Sequence, residues 1–198
     1  MTVASEIKNF LRPSWHALKR VFNQPRRWPS ETSKCRGRLE RFCVGDGADL
    51  GFGGDPITPT AIRMDMPNQY GTVGKYPVQL RGDAADLFWF RDNTLDYVFS
   101  SHLLEDFQDT ESVLREWLRV IKPGGHLIIF CPDEQRFRAH CNRTGQPYNP
   151  HHVHAHFSLA HVRGLLDRIG GTRLVLENPD VDSYSWDLVV EKLPLEST

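Results

Sequence analysis

The sequence predicts an α/β domain built on a seven-stranded, mostly parallel sheet flanked by helices, with the last strand antiparallel and the first helix shortened. Three observations predict it. From residue 44 onward, short apolar runs alternate with helical patterns. Each of these runs ends in polar or small residues, and the final two follow one another closely enough to pair antiparallel at one edge. A chain of 198 residues is long enough for one core-bearing domain and too short for two of ordinary size.

The elements follow in order. The strand candidates are VGDGADLG (44–51), AIRMD (61–65), VQLRGD (78–83), LDYVFSS (95–101), HLIIFCP (126–132), TRLVLEN (172–178) and SWDLVVEKL (185–193). Residues 43–56 hold five glycines in two groups: GDG (45–47), read as the entry to the first strand, and GFGG (51–54), read as the turn at its carboxyl end. A helix would normally follow such a turn, but Pro56 and Pro59 interrupt it, and a loop is expected. Between the fourth and fifth strands, DTESVLREWLRVIKPGG reads as a helix capped by Asp109 or Thr110, with Leu114, Trp117, Leu118 and Ile121 on one face and Pro123-Gly124-Gly125 as its end. FSLAHVRGLLDRIGG reads as another, capped by Ser158 and stopped by Gly170 or Gly171. Residues 132–157 show no clear periodicity and read as a long functional loop.

Composition narrows the class. With 39% hydrophobic and 25% charged residues and a net charge of -1, the chain reads as globular, and it has no apolar run of the ~20 residues that a membrane helix needs. No secretory leader is evident, so a cytoplasmic location is expected. Cys35, Cys43, Cys131 and Cys141 form no C-x-x-C pair, and reduced thiols are expected rather than a zinc site or disulfides. Residues 1–41 hold ten Lys/Arg against three Asp/Glu, whereas residues 42–198 hold fourteen against twenty-two. This divides the chain into a basic N-terminal helical extension and an acidic main domain. In the extension Ile7, Leu11, Trp15, Leu18 and Val21 or Phe22 recur at helical spacing around Pro13. The stripe would dock on the domain; the alternative is an arm for acidic lipid, nucleic acid or an anionic substrate.

In a parallel sheet of this kind the ligand crevice lies outside the carboxyl ends of the strands, which here are Gly51 to Asp55, Asp65, Asp83, Ser100 to His102 and Cys131 to Glu134. Acids crowd that surface. A pyrophosphate wants a helix N-terminus without nearby carboxylates, and the dinucleotide fingerprint wants a third glycine where Pro56 stands. An ammonium group and a ribose diol, by contrast, accept carboxylate partners.

The order DLGFGG, Asp65, GDAADL, LDYVFSSHLLED and LREWLRVIKPGGHLIIFCPDE resembles the class I methyltransferases that use S-adenosylmethionine (SAM), a Rossmann-like fold. The likeness spans residues 44–177 and is most specific over 95–133. The acidic–histidine pair often found after the fourth strand in that family is Glu105-Asp106 here. The resemblance implies SAM as cofactor, S-adenosylhomocysteine as product and no metal. It further implies that Gly51, Phe52 and Gly53 approach the methionyl end with Asp49 aiding the amino group. Asp65, beside Met66, would take the ribose hydroxyls; Asp83 and Ala84 would face adenine, and Ser101 or His102 the far wall.

Transfer from a sulfonium gains most of its rate from alignment in a dry site, with a base needed only where the acceptor loses a proton. His102, Asp133 and Glu134 are the candidates by position. Residues 132–157 would form a substrate cap, with Arg136, Arg138, His140, Arg143, Tyr148, His152 and His156 as contacts to a polar acceptor such as a sugar or a carboxylated intermediate. Alternating His152, His154 and His156 could face one ion on an extended strand, but substrate contact is the preferred reading. The expected activity is methyl transfer to O or N of a small polar molecule, with nucleic acid disfavoured as a partner and a homodimer allowed. The alternatives are an RNA methyltransferase using the basic arm, an NAD-binding oxidoreductase, and a non-catalytic SAM-binding protein.

Overall fold

The computed structural model describes residues 29–67 and 76–194. The stripe from Ile7 to Phe22 lies outside the described residues. The elements run α1 (Glu31–Leu39), β1 (Gly47–Leu50), β2 (Ile62–Asp65), β3 (Leu80–Arg81), β4 (Leu95–Ser101), α2 (Thr110–Val120), β5 (Ile121–Pro132), α3 (Glu134–Thr144), α4 (Leu159–Ile169), β6 (Thr172–Asn178) and β7 (Ser185–Lys192), with short 3-10 turns at Glu40–Phe42 and Leu104–Asp106. The seven strands form one sheet in the order β3-β2-β1-β4-β5-β7-β6. β1 to β5 are parallel, and β7 runs antiparallel to both β5 and β6. β6 therefore takes the edge, and β7 lies inside the sheet rather than at its border.

Side-chain alternation divides the core. Val98, Leu127, Ile129 and Leu188 point to the face covered by α2 and α4, which contribute Leu114, Trp117, Val162 and Leu166. Tyr97, Phe99, Ile128, Phe130 and Val189 point to the other face, where they meet Cys35 and Leu39 of α1 together with Ile57 and Ala61 of the β1–β2 connection. The prolines have the expected effect: the segment from Gly51 to Ala61 is a series of turns. Its apolar residues and α1 together cover the surface that a first crossover helix would take.

Charged side chains fix α1 in place. Arg36 donates to Asp55 Oδ1 at 2.7 Å and to the carbonyls of Pro56 and Ile57 at 3.0 and 3.2 Å. Arg38 makes a two-pronged pair with the fully buried Asp187 of β7, at 2.7 and 3.1 Å. The basic residues nearest the domain thus hold the fold together, and Glu31–Leu39 packs as part of the same body as the sheet.

Two sequence expectations are corrected here. α2 ends at Val120, and Pro123-Gly124-Gly125 sits in an irregularity at the start of β5, where the register against β4 jumps from Leu95–Ile121 to Tyr97–His126. Residues 134–144 are not loop but the helix α3, capped by Asp133 and closed by Gly145 in the left-handed region.

Candidate active site

A cavity of about 660 Å³ opens at the carboxyl ends of β1, β2 and β4, where the strand order reverses. The glycine turn forms its floor. Gly51 has φ +68°, and a Cβ there would meet Leu103 at 2.8 Å, so this position needs glycine on both counts. Asp65, at the end of β2, accepts from the amides of Gly53 at 3.2 Å and Met66 at 2.8 Å while its carboxylate lines the cavity. Asp83 accepts from the Ala85 amide at 2.8 Å, and the Ala84 carbonyl takes the Trp117 indole N–H at 2.8 Å. α2 thereby positions the turn after β3 from beneath. Ser101 is buried at the wall, and its Oγ has no hydrogen-bond partner.

The opposite end is built from α1, the segment after β4 and the chain between α3 and α4. Glu31, Leu103, Phe107, Phe137, His151 and Val153 line it with His102 and His152. His102 holds a left-handed backbone, φ 51°, fixed by its amide donating to the Phe130 carbonyl at 2.8 Å. Its Nε2 lies 3.3 Å from Glu31 Oε2 and its Nδ1 lies 3.7 Å from Glu105 Oε1. Burial pushes the His102 imidazole down to about 4, against the pull of Glu31. His152 donates from Nδ1 to Glu134 Oε2 at 2.7 Å, and Glu134 Oε1 takes the Arg138 guanidinium at 2.6 Å. Among the described residues that line the cavity none is Lys or Arg, while Glu31, Asp65, Asp83 and Asp106 are acidic.

Comparison with known proteins fits this geometry. Residues 60–129 match the family profile described as methyltransferase domain. Over that segment the chain is similar to methyltransferase domains. Its fold is similar to that of a protein from Pyrococcus horikoshii OT3 (TM-score 0.63, 18% identity, 89% of this chain and 98% of that one). A SAM-dependent methyltransferase from Thermotoga maritima is also similar (TM-score 0.59, 18% identity, 90% of this chain and all of that one, 100%). In sequence, the chain is 34% identical over 95 residues to demethylmenaquinone methyltransferase of Bacillus cereus, covering 43% of this chain and 35% of that protein. The chain thus matches about a third of the length of those curated relatives.

Of the residues read as cofactor-binding, Gly51, Phe52, Gly53, Asp65, Met66, Asp83, Ala84, Ser101 and His102 line the cavity. Asp49 does not. It is fully buried, its Oδ2 accepts the Ile57 amide at 2.6 Å, and burial holds its carboxyl well above the usual range. Asp55 is likewise engaged by Arg36 and Ser30. These two acids secure the turn; the ones at the cavity are Asp65 and Asp83.

The cap residues divide in the same way. His152 lines the cavity, but Arg136 binds the Pro179 and Asp182 carbonyls and Asp180. Arg138 lies on Glu134 and over the Tyr148 ring, Arg143 meets His140 at 3.2 Å, and Tyr148 donates to Asn142 at 3.1 Å. The cationic cap expected for an acidic acceptor is therefore absent from the described wall. Asp133 caps α3 by accepting the Arg136 amide at 3.1 Å and Glu134 accepts from His152; neither lines the cavity. The alternating histidines take separate partners: His154 donates to the Phe107 carbonyl at 2.8 Å and His156 meets Gln135 at 3.2 Å. No metal-competent group of three ligands occurs among the described residues.

Sequence reasoning missed Glu31, Leu103, Phe107, Phe137 and Val153 as wall residues. A signal for α3, and hence for Phe137, was present in the Asp133 cap, the Gly145 stop and the i, i+4 pair Phe137–Cys141.

Proposed function

We propose that the protein is a SAM-dependent methyltransferase acting on O or N of a small molecule. The observation that carries the reading is the cavity at the β1/β4 reversal, with Asp65, Asp83 and the unpartnered Ser101 hydroxyl at successive strand ends. These residues fit the cofactor: Asp65 suits a ribose diol, the turn from Gly51 to Gly53 lets backbone approach a methionyl end, and the acidic wall suits its ammonium and sulfonium. When bound, SAM supplies a methyl group already activated on sulfur. The chain's part is to orient the acceptor and exclude water, which Phe52, Leu103, Phe107 and Phe137 serve as apolar walls. With carboxylates and no described Lys or Arg on the wall, the acceptor is a neutral or cationic molecule rather than a carboxylate or phosphate.

Calorimetry with S-adenosylhomocysteine tests the cofactor. Binding is expected for the native chain, weakened by ~1–3 kcal/mol in Asp65→Ala through lost buried hydrogen bonds. A folded sample that takes NADH and not S-adenosylhomocysteine would overturn the reading. Transfer of label from tritiated SAM to a deproteinised cell extract tests the acceptor class; label recovered only in acidic products would refute it.

A further inference from the structure

Behind the acceptor end of the cavity lies a connected set of buried ionisable groups that methyl transfer from a sulfonium does not by itself require. Glu134 and Glu105 are each 1% exposed, and the His152 side chain is 3% exposed. Glu134 links the two neighbours: the Arg138 guanidinium donates to its Oε1 at 2.6 Å, and its Oε2 accepts from His152 Nδ1 at 2.7 Å. With Nδ1 carrying the proton toward Glu134, the free lone pair of the ring is on Nε2. The Phe137 ring packs against the imidazole, tilted 43° to it, at 4.9 Å between centroids. Nε2 lies 3.5 Å from Glu105 Oε1, a buried oxygen without a hydrogen-bond partner. The same oxygen lies 3.7 Å from His102 Nδ1, and His102 Nε2 lies 3.3 Å from Glu31 Oε2, whose side chain is 32% exposed.

We propose that His152 is the proton acceptor of this site, positioned by Glu134 and Arg138, and that Glu105 and His102 relay the proton to Glu31 at the surface. The inference rests on the methyltransferase reading and specifies its substrate class: the acceptor is a hydroxyl- or ammonium-bearing molecule that must lose a proton. The bond from acceptor O or N to the methyl carbon forms as the sulfur–methyl bond breaks, and the sulfur keeps the electron pair. The acceptor's proton goes to His152 Nε2. Glu105, protonated at the start, gives its proton from Oε1 to His102 Nδ1 as His102 passes one from Nε2 to Glu31, and the Glu105 carboxylate so formed takes the proton from His152 Nε2. Burial favours the protonated carboxyl at Glu105 and the neutral ring at His102, the forms from which such a relay starts. Once Oε1 has given up its proton, an imidazolium at either ring is a partner for the carboxylate left behind.

The deciding measurement is a long-range nitrogen–proton NMR spectrum of the imidazoles in the full chain at pH 7. His152 is expected as the Nδ1–H tautomer with Nε2 bare, and Glu134→Gln is expected to move the proton or mix the tautomers. Arg138→Gln, which leaves the carboxylate in place, serves if Glu134→Gln does not fold and is expected to broaden or shift the same signal. A His152 found as Nε2–H or as imidazolium at pH 7 would refute the assignment. Transfer from tritiated SAM to the deproteinised extract is expected to fall at least 100-fold in His152→Asn while the Kd for S-adenosylhomocysteine stays within two-fold. Transfer within three-fold of the native rate would overturn the proposal even with the tautomer as expected. Loss of S-adenosylhomocysteine binding by the native chain would instead overturn the cofactor reading, leaving the tautomer result to stand on its own.

Discussion

His102 shows how much one residue can carry. It joins a positive φ, a buried ring and contacts to Glu31 and Glu105, and such backbone strain persists only where the surroundings over-determine it. Its depressed value, about 4 against an ordinary 6.5, has a consequence for stability. Between those values the unfolded chain binds a proton that the folded chain does not, so this contribution to stability is lost as pH falls from about 6.5 toward 4. Denaturant unfolding of native chain and His102→Asn at pH 7 and pH 4.5 should show the variant losing less stability on acidification; an equal loss would refute this. Asp49 works in the opposite direction, because burial raises it and the folded chain keeps its proton as pH rises, but it lies away from His102 and drops out of the difference; Glu105, raised by burial too, touches the substituted ring and is therefore followed in a Glu105→Gln background. Gly47 gives a packing test. A Cβ there would lie 2.3 Å from the Tyr97 ring, so Gly47→Ala should destabilise by ~1–3 kcal/mol in the same assay. At this scale the sequence conveyed residue type well and direction poorly. Asp49 and Asp55 beside a glycine turn look like ligand acids, yet they hold a backbone amide and an arginine, whereas Asp65 and Asp83 reach the cavity. Only the fold distinguishes the two pairs.

Among the elements, α1 is the least expected and among the most consequential. Its Leu39 is fully buried against the sheet face that lacks a crossover helix, so Leu39→Ala should cost ~2–5 kcal/mol in chemical denaturation. Glu31 at its first turn lines the cavity, so the same variant should also weaken S-adenosylhomocysteine binding if α1 loosens, and calorimetry reads that. α2 and α4 were readable because each carries a continuous apolar face, such as Leu114, Trp117 and Leu118 between Asp109 and the end of the helix. α3 offered only its Asp133 cap, its Gly145 stop and the Phe137–Cys141 pair, without a continuous apolar face, because only Glu134, Phe137 and Cys141 are buried. One of those three is charged, and it is buried because His152 and Arg138 arrive from elsewhere in the chain and in the helix to meet it. No local pattern announces such a partnership. The shortened β1–β2 connection was readable for the opposite reason, since proline acts through its own ring and not through distant contacts.

For the whole molecule, strand order did what the alternating pattern promised: the cavity lies where β1 and β4 diverge, and residues far apart in sequence meet there because their strands end there. A ligand that bridges those ends holds the body together. S-adenosylhomocysteine at 100 times its Kd should add ~2.7 kcal/mol, seen as a rise of roughly 5–10 °C in a thermal melt. No rise would mean that the native state does not take it. The position of β7 bears on how the molecule is made. It is the last strand among the described residues, yet it fills the slot between β5 and β6 and brings Asp187, the anchor of Arg38. During synthesis on the ribosome, β5 must therefore wait with one flank open, its Leu127–Cys131 stretch unshielded, until residues 185–192 emerge. Until then that edge of β5 offers its unpaired backbone groups to any other strand that reaches it.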